Sequence, residues 1–359
     1  MIEMQYNFPL LPGQPAEWRG RLRAAVDALS DDNYYEMRPT FLSDQKALTD
    51  AGAKWMGMPP ERTFLTEGGH HGSLIALMAS GLAGRPIAVD VAAYTGALEQ
   101  SRAMGCATVG CAVDDEGMVA ESLREQCERA AAAGKPVRMM YCIPTVHNPL
   151  GCVAGLARRE ELVAVAREFD LLIIEDAAYS YMAPDAAPPL ATMAPERTFY
   201  VRGLSKSYAP GARTGFLVAP EKFVPMMWVA LKNAATGTSL VHARAAVSLI
   251  EDGTLERVIA AKNVEGRARN AESRALLGEA NCWAGAKAAW HLWVRLPKNV
   301  TPQVFEARMK ERGVAISGGN WFAAGADVPN GFRLALGGEV EREKCMEGVR
   351  LVAEEMGKL

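Results

Sequence analysis

No apolar run in the sequence approaches the ~18 residues that a membrane-spanning helix needs. There is no C-x-x-C pair, and the seven cysteines (Cys106, Cys111, Cys127, Cys142, Cys152, Cys282 and Cys345) are dispersed and odd in number. That pattern argues against a disulfide framework or a cysteine-rich zinc site. It predicts buried free thiols in a reducing compartment, the cytoplasm. A surplus of positive charge is also missing. The net charge is −3 over 359 residues, the wrong sign for a chain that must neutralise nucleic-acid phosphates. Neither a lysine-bearing P-loop nor a G-x-G-x-x-G stretch occurs, which weakens any nucleotide-binding reading. Met1 to Leu10 lacks a cationic region ahead of an apolar stretch, so no signal peptide is expected.

What the chain does have is 49% hydrophobic content, enough for one large core and a smaller one, and its length favours two lobes. The opening is proline-rich. Pro9, Pro12 and Pro15 around Gly13 predict an extended arm, because proline fixes its own φ and restricts the residue before it. Helical patterns follow from about Glu17 to Leu29 and around Gln45 to Met56, separated by the polar turn Ser30-Asp31-Asp32-Asn33. From about Thr63 short apolar runs alternate with amphipathic segments. The candidate strands are Ile87–Val91, Ala107–Val109, Val137–Ile143, Leu171–Glu175, Phe199–Arg202 and Phe216–Ala219. Most are continuously apolar, as strands buried on both faces are. In Arg158–Phe169, Leu162, Val165, Ala166 and Phe169 share one helical face. The alternation predicts an α/β domain: a mostly parallel sheet flanked by helices.

After about Gly253 the pattern shifts to a long charged helix, Leu255–Leu277. An alternating strand follows, with Trp290, Leu292, Val294 and Leu296 on one face and His291, Trp293 and Arg295 on the other. A helix near Gln303–Arg312, strands near Val314–Ser317 and Phe332–Leu336, and a final helix complete a smaller α+β lobe. The expected division is an N-terminal arm and helix (1–40) belonging to the small domain, a large domain (41–252) and a small C-terminal domain (253–359).

Four segments carry the chemistry. In Gly203-Leu204-Ser205-Lys206-Ser207-Tyr208-Ala209-Pro210-Gly211-Ala212-Arg213-Thr214-Gly215, Lys206 lies between two apolar strands with a serine on either side. It suits a lysine that forms a Schiff base, with hydroxyl and guanidinium groups nearby to hold an anionic cofactor. A solvated loop lysine is the bland alternative. In Leu171-Leu172-Ile173-Ile174-Glu175-Asp176-Ala177-Ala178-Tyr179, Asp176 ends a buried strand, where open α/β sheets bind ligands. A carboxylate there can keep a pyridinium nitrogen protonated, or merely cap a helix. Glu175 beside it faces elsewhere, since adjacent strand positions diverge. In Tyr141-Cys142-Ile143-Pro144-Thr145-Val146-His147-Asn148-Pro149-Leu150-Gly151, Asn148 sits in a rigid turn able to aim an amide donor, though Asn-Pro turns are common. Thr66-Glu67-Gly68-Gly69-His70-His71-Gly72 opens a helix, and its glycines leave backbone N–H groups free for a phosphate. His70 and His71 diverge in direction and have no third ligand near, so no metal is expected.

Taken together and in this order, these segments resemble the class I/II aminotransferases of pyridoxal 5′-phosphate (PLP) fold type I. The nearest flavour is the group containing 2-aminoadipate and kynurenine aminotransferases and the effector domains of MocR-type regulators. The similarity runs from Asn7-Phe8-Pro9 to Phe332-Arg333-Leu334-Ala335. The resemblance implies a PLP-dependent enzyme moving an amino group between an L-amino acid and a 2-oxo acid. Lys206 would hold the cofactor as a Schiff base, then shuttle the proton between substrate and cofactor carbons. Asp176 would pair with the ring nitrogen, Asn148 and Tyr179 would bond the ring hydroxyl, and Tyr94 would stack on the ring. The backbone of Gly69 and His70, with Ser205 and Arg213, would hold the phosphate. Arg333 would grip the substrate carboxylate by a two-pronged pair, with Asn148 and Gly13 beside it. Tyr35 would reach the neighbouring subunit's phosphate across a homodimer interface.

The same resemblance leaves room for a lyase, decarboxylase or cyclase, since these reactions use the same groups. A PLP-sensing regulator is disfavoured: about sixty residues precede the glycine-rich turn, and they already match the family's arm and first helices. The sequence departs from the family pattern where Gly203 replaces a usual serine and so removes a phosphate hydroxyl, where His70 replaces glutamine, and where Ala92 replaces proline. Substrate choice is not legible here. Trp18, Trp55, Trp321 and Phe322 are candidates for an aromatic pocket, and the family suggests aromatic or branched donors with 2-oxoglutarate as acceptor.

Overall fold

Runs such as Ile87–Asp90 and Leu172–Asp176 offer no solvent-facing position, and every residue of both is buried. The computed structural model describes residues 1–38, 45–235 and 237–359. Its centre is a seven-stranded sheet. The strands are β1 (Thr63–Thr66), β2 (Ile87–Asp90), β3 (Thr108–Cys111), β4 (Met139–Cys142), β5 (Leu172–Asp176), β6 (Thr198–Gly203) and β7 (Gly215–Val218). They lie in the order β1-β7-β6-β5-β4-β2-β3. Only β7 runs against its neighbours. The expected strands are therefore present, with ends displaced by a residue or two. The short β1 is not among the expected strands, because a segment with two threonines around Phe64-Leu65 carries little apolar signal.

Helices cover both faces. Ile75, Ala76 and Leu77 of helix Gly69–Ser80 pack with Val89, Phe199 and Leu217. On the other face Leu123, Leu162 and Val165 meet Ala88, Met140 and Ile173. Burying such side chains contributes about 1.5–3 kcal/mol each before the chain entropy is charged against it.

The smaller lobe has an antiparallel sheet of β8 (His291–Arg295), β9 (Ser317–Gly318) and β10 (Gly331–Ala335), in the order β8-β10-β9. The alternation of β8 predicts one solvated face, and that face is in fact covered: His291 is 1% and Trp293 0% exposed. The reason is the neighbouring lobe. Trp293 packs with Leu150, Ala92 and Phe322, and the His291 ring bonds to the His147 backbone. The expected strand Val314–Ser317 splits. Val314–Ala315 pairs with Ile2–Glu3, while Ser317–Gly318 joins β10.

The N-terminal arm is thus stitched to the small lobe through Ile2–Glu3. The helix after it, Gln14–Asp27, departs from the predicted division, since it packs on helix Leu240–Glu251 of the large lobe. Trp18 meets the Tyr208 ring at 5.8 Å, and Arg21 holds Asp252 at 2.6 Å. Pro15 lies in that helix's first turn, where a missing N–H costs nothing. All the cysteines are buried free thiols. Among the described residues no helix is long and apolar enough to cross a membrane, and no three metal-ligating side chains cluster.

Candidate active site

Parallel strands end together, so the loops leaving β4, β5 and β6 meet on one edge of the sheet. Asp176 is the last residue of β5, Asn148 lies in the loop after β4, and Lys206 lies in the single turn Leu204–Ser207 directly after β6. Lys206 Nζ donates to the Asn7 carbonyl at 2.7 Å and sits 4.4 Å from the Phe8 ring centre. Burial and the charge of Arg333 push its amine down to about 7, with Asp176 pulling the other way. Asp176 Oδ2 accepts from the Tyr141 hydroxyl at 2.6 Å and Oδ1 from the Ala178 N–H at 2.9 Å. Burial raises its carboxyl, and these two hydrogen bonds and Lys206 oppose the rise. Glu175 does face away: it accepts from Ala191 N–H at 2.9 Å behind the sheet, and burial pushes it up to about 7.

The second part of the site is a cradle of donors. Gly68, at φ 95°, starts helix Gly69–Ser80, and the first N–H groups of a helix have no partner within it. A Cβ on Gly68 would lie 3.3 Å from Ser205 Oγ and 3.9 Å from Arg213 Nη1, so both side chains converge on this turn. Arg213 is itself held at φ 42° and donates to the Glu67 carbonyl at 2.7 Å. The space is tight. A Cβ on Gly203 would come within 2.9 Å of the Gly69 nitrogen, and one on Gly215 within 2.8 Å of Gly68 Cα. Gly203 is therefore the residue that lets the turn approach the strand ends, not simply a lost hydroxyl. The exposed His70 stands edge-on to Tyr94, ring centres 6.4 Å apart. The Tyr94 phenol is raised by burial and by the charge of Asp176.

The third part comes from the other lobe and the arm. Arg333 on β10 is buried. It donates to Asn148 Oδ1 at 2.8 Å and to the Gln5 carbonyl at 2.5 Å, and its guanidinium lies 4.9 Å from the Phe322 ring centre. Since the Asn148 oxygen is turned to Arg333, its amide hydrogens remain available as donors. The Tyr179 hydroxyl accepts from Asn7 Nδ2 at 3.3 Å.

One predicted member is not brought in. Gly13, at φ 88°, precedes helix Gln14–Asp27 and lines a surface groove with Thr254 and Arg257, away from Arg333. The Tyr35 side chain lies outside the described residues. The four candidate aromatics form no common pocket. Trp18 meets Tyr208, Trp55 stacks with Arg202, Trp321 bonds Glu306, and only Phe322 reaches the site. Conversely, Tyr141, Asn7, His291 and Lys262 belong to the cluster without having been predicted. The buried Lys262 donates to the backbone carbonyls of Lys206, at 3.0 Å, and Tyr208. Nothing in its neighbourhood on a long charged helix marks it out. Tyr141 had a readable signal, a polar side chain among apolar ones at the end of β4.

An amine, a buried acid at a strand end, and a cradle of helix N–H groups, hydroxyl and guanidinium form a donor set that fits a phosphorylated pyridine aldehyde. The family model for aminotransferase class I and II matches residues 17–350. The chain belongs to this aminotransferase family. Aromatic-amino-acid aminotransferase 1 of Thermococcus litoralis is 29% identical over 75% of this chain and 66% of its own. The 2-aminoadipate transaminase of Thermus thermophilus is 28% identical over 83% of this chain and 76% of its own. Among solved structures, the α-aminoadipate aminotransferase LysN from Thermus thermophilus, complexed with N-(5′-phosphopyridoxyl)-L-leucine, superposes with a TM-score of 0.86. The match is 24% identical and covers 100% of this chain and 92% of that one. The protein is a PLP-dependent aminotransferase of fold type I.

Proposed function

We propose that this aminotransferase exchanges amino groups between an L-amino acid and a 2-oxo acid, with Lys206 as the lysine that holds the cofactor. One observation carries the reading: a single buried cluster joins Lys206, whose amine is depressed to about 7, to Asp176 at a strand end and Arg333 from the opposite lobe. Bound PLP supplies an electron sink for the charge left when a bond to the substrate α-carbon breaks. Asp176 holds a proton on the ring nitrogen, which its buried carboxylate favours. The N–H groups of Gly69 and His70, Ser205 Oγ and Arg213 hold the phosphate. Asn148 Nδ2 and the Tyr179 hydroxyl would donate to the ring oxygen, and Tyr94 would cover the ring. Lys206 Nζ, whose amine is depressed to about 7, would take the proton from the substrate α-carbon and hand it back. Arg333 presents to the substrate carboxylate the two N–H arms now spent on Asn148 and Gln5.

The donor is an aromatic or branched amino acid and the acceptor 2-oxoglutarate. The exposed face of Phe8 beside Lys206 supports this choice, as do the relatives named for aromatic amino acids and 2-aminoadipate. The enzyme works as a cytoplasmic homodimer, with Tyr35 serving the neighbouring site. The free thiols support a reducing compartment. The test is visible absorbance of the PLP-loaded protein as single amino acids are added. The expected result is loss of the yellow band with one donor and its return with 2-oxoglutarate. Release of ammonia or carbon dioxide with no oxo acid formed would replace transamination by a lyase or decarboxylase reading.

A further inference from the structure

His291 is buried, neutral and unused by the chemistry above. Its Nε2 lies 2.8 Å from the His147 carbonyl. A carbonyl oxygen only accepts, so Nε2 carries the hydrogen and Nδ1 carries a lone pair. Burial pushes the ring down to about 3, the hydrogen bond to the His147 carbonyl opposes this, and the facing Arg333, His147 and Lys206 side chains add to it, so the lone pair is present at any working pH. That carbonyl also accepts from the Gly151 N–H at 2.6 Å, and the buried His147 ring lies 3.2 Å from Asp90.

Opposite the lone pair, at 3.1 Å, stands the side-chain amide of Asn7. Only its NH2 end can face an acceptor, so the amide orientation is settled by chemistry. The second amide hydrogen then goes to the Tyr179 oxygen at 3.3 Å. With that oxygen accepting, the tyrosine's own hydrogen must point elsewhere, and no acceptor for it occurs among the described residues. The same Asn7 also receives Lys206 Nζ on its backbone carbonyl. One residue of the arm therefore touches both the reactive amine and the tyrosine, and His291 sets its orientation.

We propose that His291 is a positioning residue which, through Asn7, fixes the Tyr179 hydroxyl as a hydrogen-bond donor to the cofactor's ring oxygen. The inference rests on the reading of Tyr179 given above. A donor to that oxygen favours its deprotonated form, so it lowers the pH midpoint at which the bound cofactor's absorbance changes. The experiment is a pH titration of the visible band of the PLP-loaded enzyme, wild type against variants. Tyr179→Phe is expected to raise the midpoint by about one unit. His291→Phe, which fills the volume but offers no lone pair, is expected to raise it by at least about half as much. The Tyr179→Phe, His291→Phe double variant is expected to match Tyr179→Phe alone. His291→Gln, whose side-chain oxygen can accept from Asn7, is expected to restore the wild-type midpoint. A purely structural histidine would lower thermal stability and leave the midpoint where it was. Should His291→Phe fail to fold, Asn7→Ala breaks the same link from the other side and is expected to give the same shift. An unshifted midpoint in His291→Phe and Asn7→Ala, with Tyr179→Phe shifted, overturns the inference alone. An unshifted Tyr179→Phe overturns the reading of Tyr179 and the inference with it.

Discussion

The site has two walls of different construction. The large-lobe wall takes Asp176 from a strand end, and Asn148, Lys206 and the Gly68–Gly69 turn from segments that leave strands of the same hydrogen-bonded sheet. The facing wall takes Gln5, Asn7 and Phe8 from an irregular arm, and His291 and Arg333 from strands at the opposite end of the chain. The first wall is held by ladders and by buried helices on both faces. The second meets it through the packing of Trp293 on Leu150 and Ala92, and at the site through single hydrogen bonds, among them Lys206 to Asn7 and Arg333 to Asn148. A ladder cannot yield without unpairing strands, whereas single hydrogen bonds exchange readily with a ligand. Chemistry then falls to the fixed wall and selection of the substrate to the other.

If that division holds, damage to each wall has a different kinetic signature. Asp176→Ala, in the fixed wall, is expected to lower kcat by about a thousandfold with little change in substrate KM. Steady-state kinetics at saturating PLP checks it, and a change confined to KM would dissolve the contrast. Arg333→Lys, in the facing wall, loses the planar fork and is expected to lower kcat/KM for the amino acid by about a hundredfold, mostly through KM, with the cofactor absorbance intact.

The depressed Lys206 amine gives a pH test of the fixed wall. A lysine attacks an aldehyde as the neutral amine, and Lys206 loses its proton at about 7. The initial rate of covalent PLP capture by the cofactor-free protein should therefore level off above about 7 and fall about tenfold per pH unit below it. Stopped-flow absorbance reads this directly. A rate still climbing toward the usual lysine range would show that burial and Arg333 do not depress the amine.

Gly203→Ser sharpens the comparison in another way. It supplies a hydroxyl at the turn, yet its Cβ would press on the Gly69 nitrogen at 2.9 Å. The expected result is weaker PLP retention, by about tenfold on dialysis, because a displaced turn outweighs an added donor. The smallest effect belongs to the arm's exposed ring. Phe8→Ala is expected to raise KM for aromatic donors about threefold and leave small donors unaffected.

The same division separates what the sequence discloses from what it hides. Asp176, Asn148 and Lys206 each lie within a few residues of an apolar strand, so local pattern alone puts them at the sheet's edge. The glycine turn is legible because a helix start with free N–H groups is a local feature. Arg333 gives only a half-signal, since residues on an alternating strand can face solvent or site, and the lobe that buries it is out of local view. Asn7, His291 and Lys262 give none. Each matters through partners far away in the chain, such as Asn7 with Tyr179 and Lys262 with the Lys206 carbonyl. His291 reads as an outward residue because the pattern of β8 records its own lobe and not the one it docks against. Gly203 reads as a loss until the closeness of the Gly69 backbone shows what it permits.

The central claim is that Lys206 is the lysine bonded to the cofactor. The direct test is borohydride reduction of the PLP-loaded enzyme, followed by proteolysis and mass spectrometry of the labelled peptide. The account predicts the label on Lys206 alone, and no label in Lys206→Ala. A label on Lys262, the buried lysine behind it, or on any lysine in Lys206→Ala at wild-type yield, would contradict it.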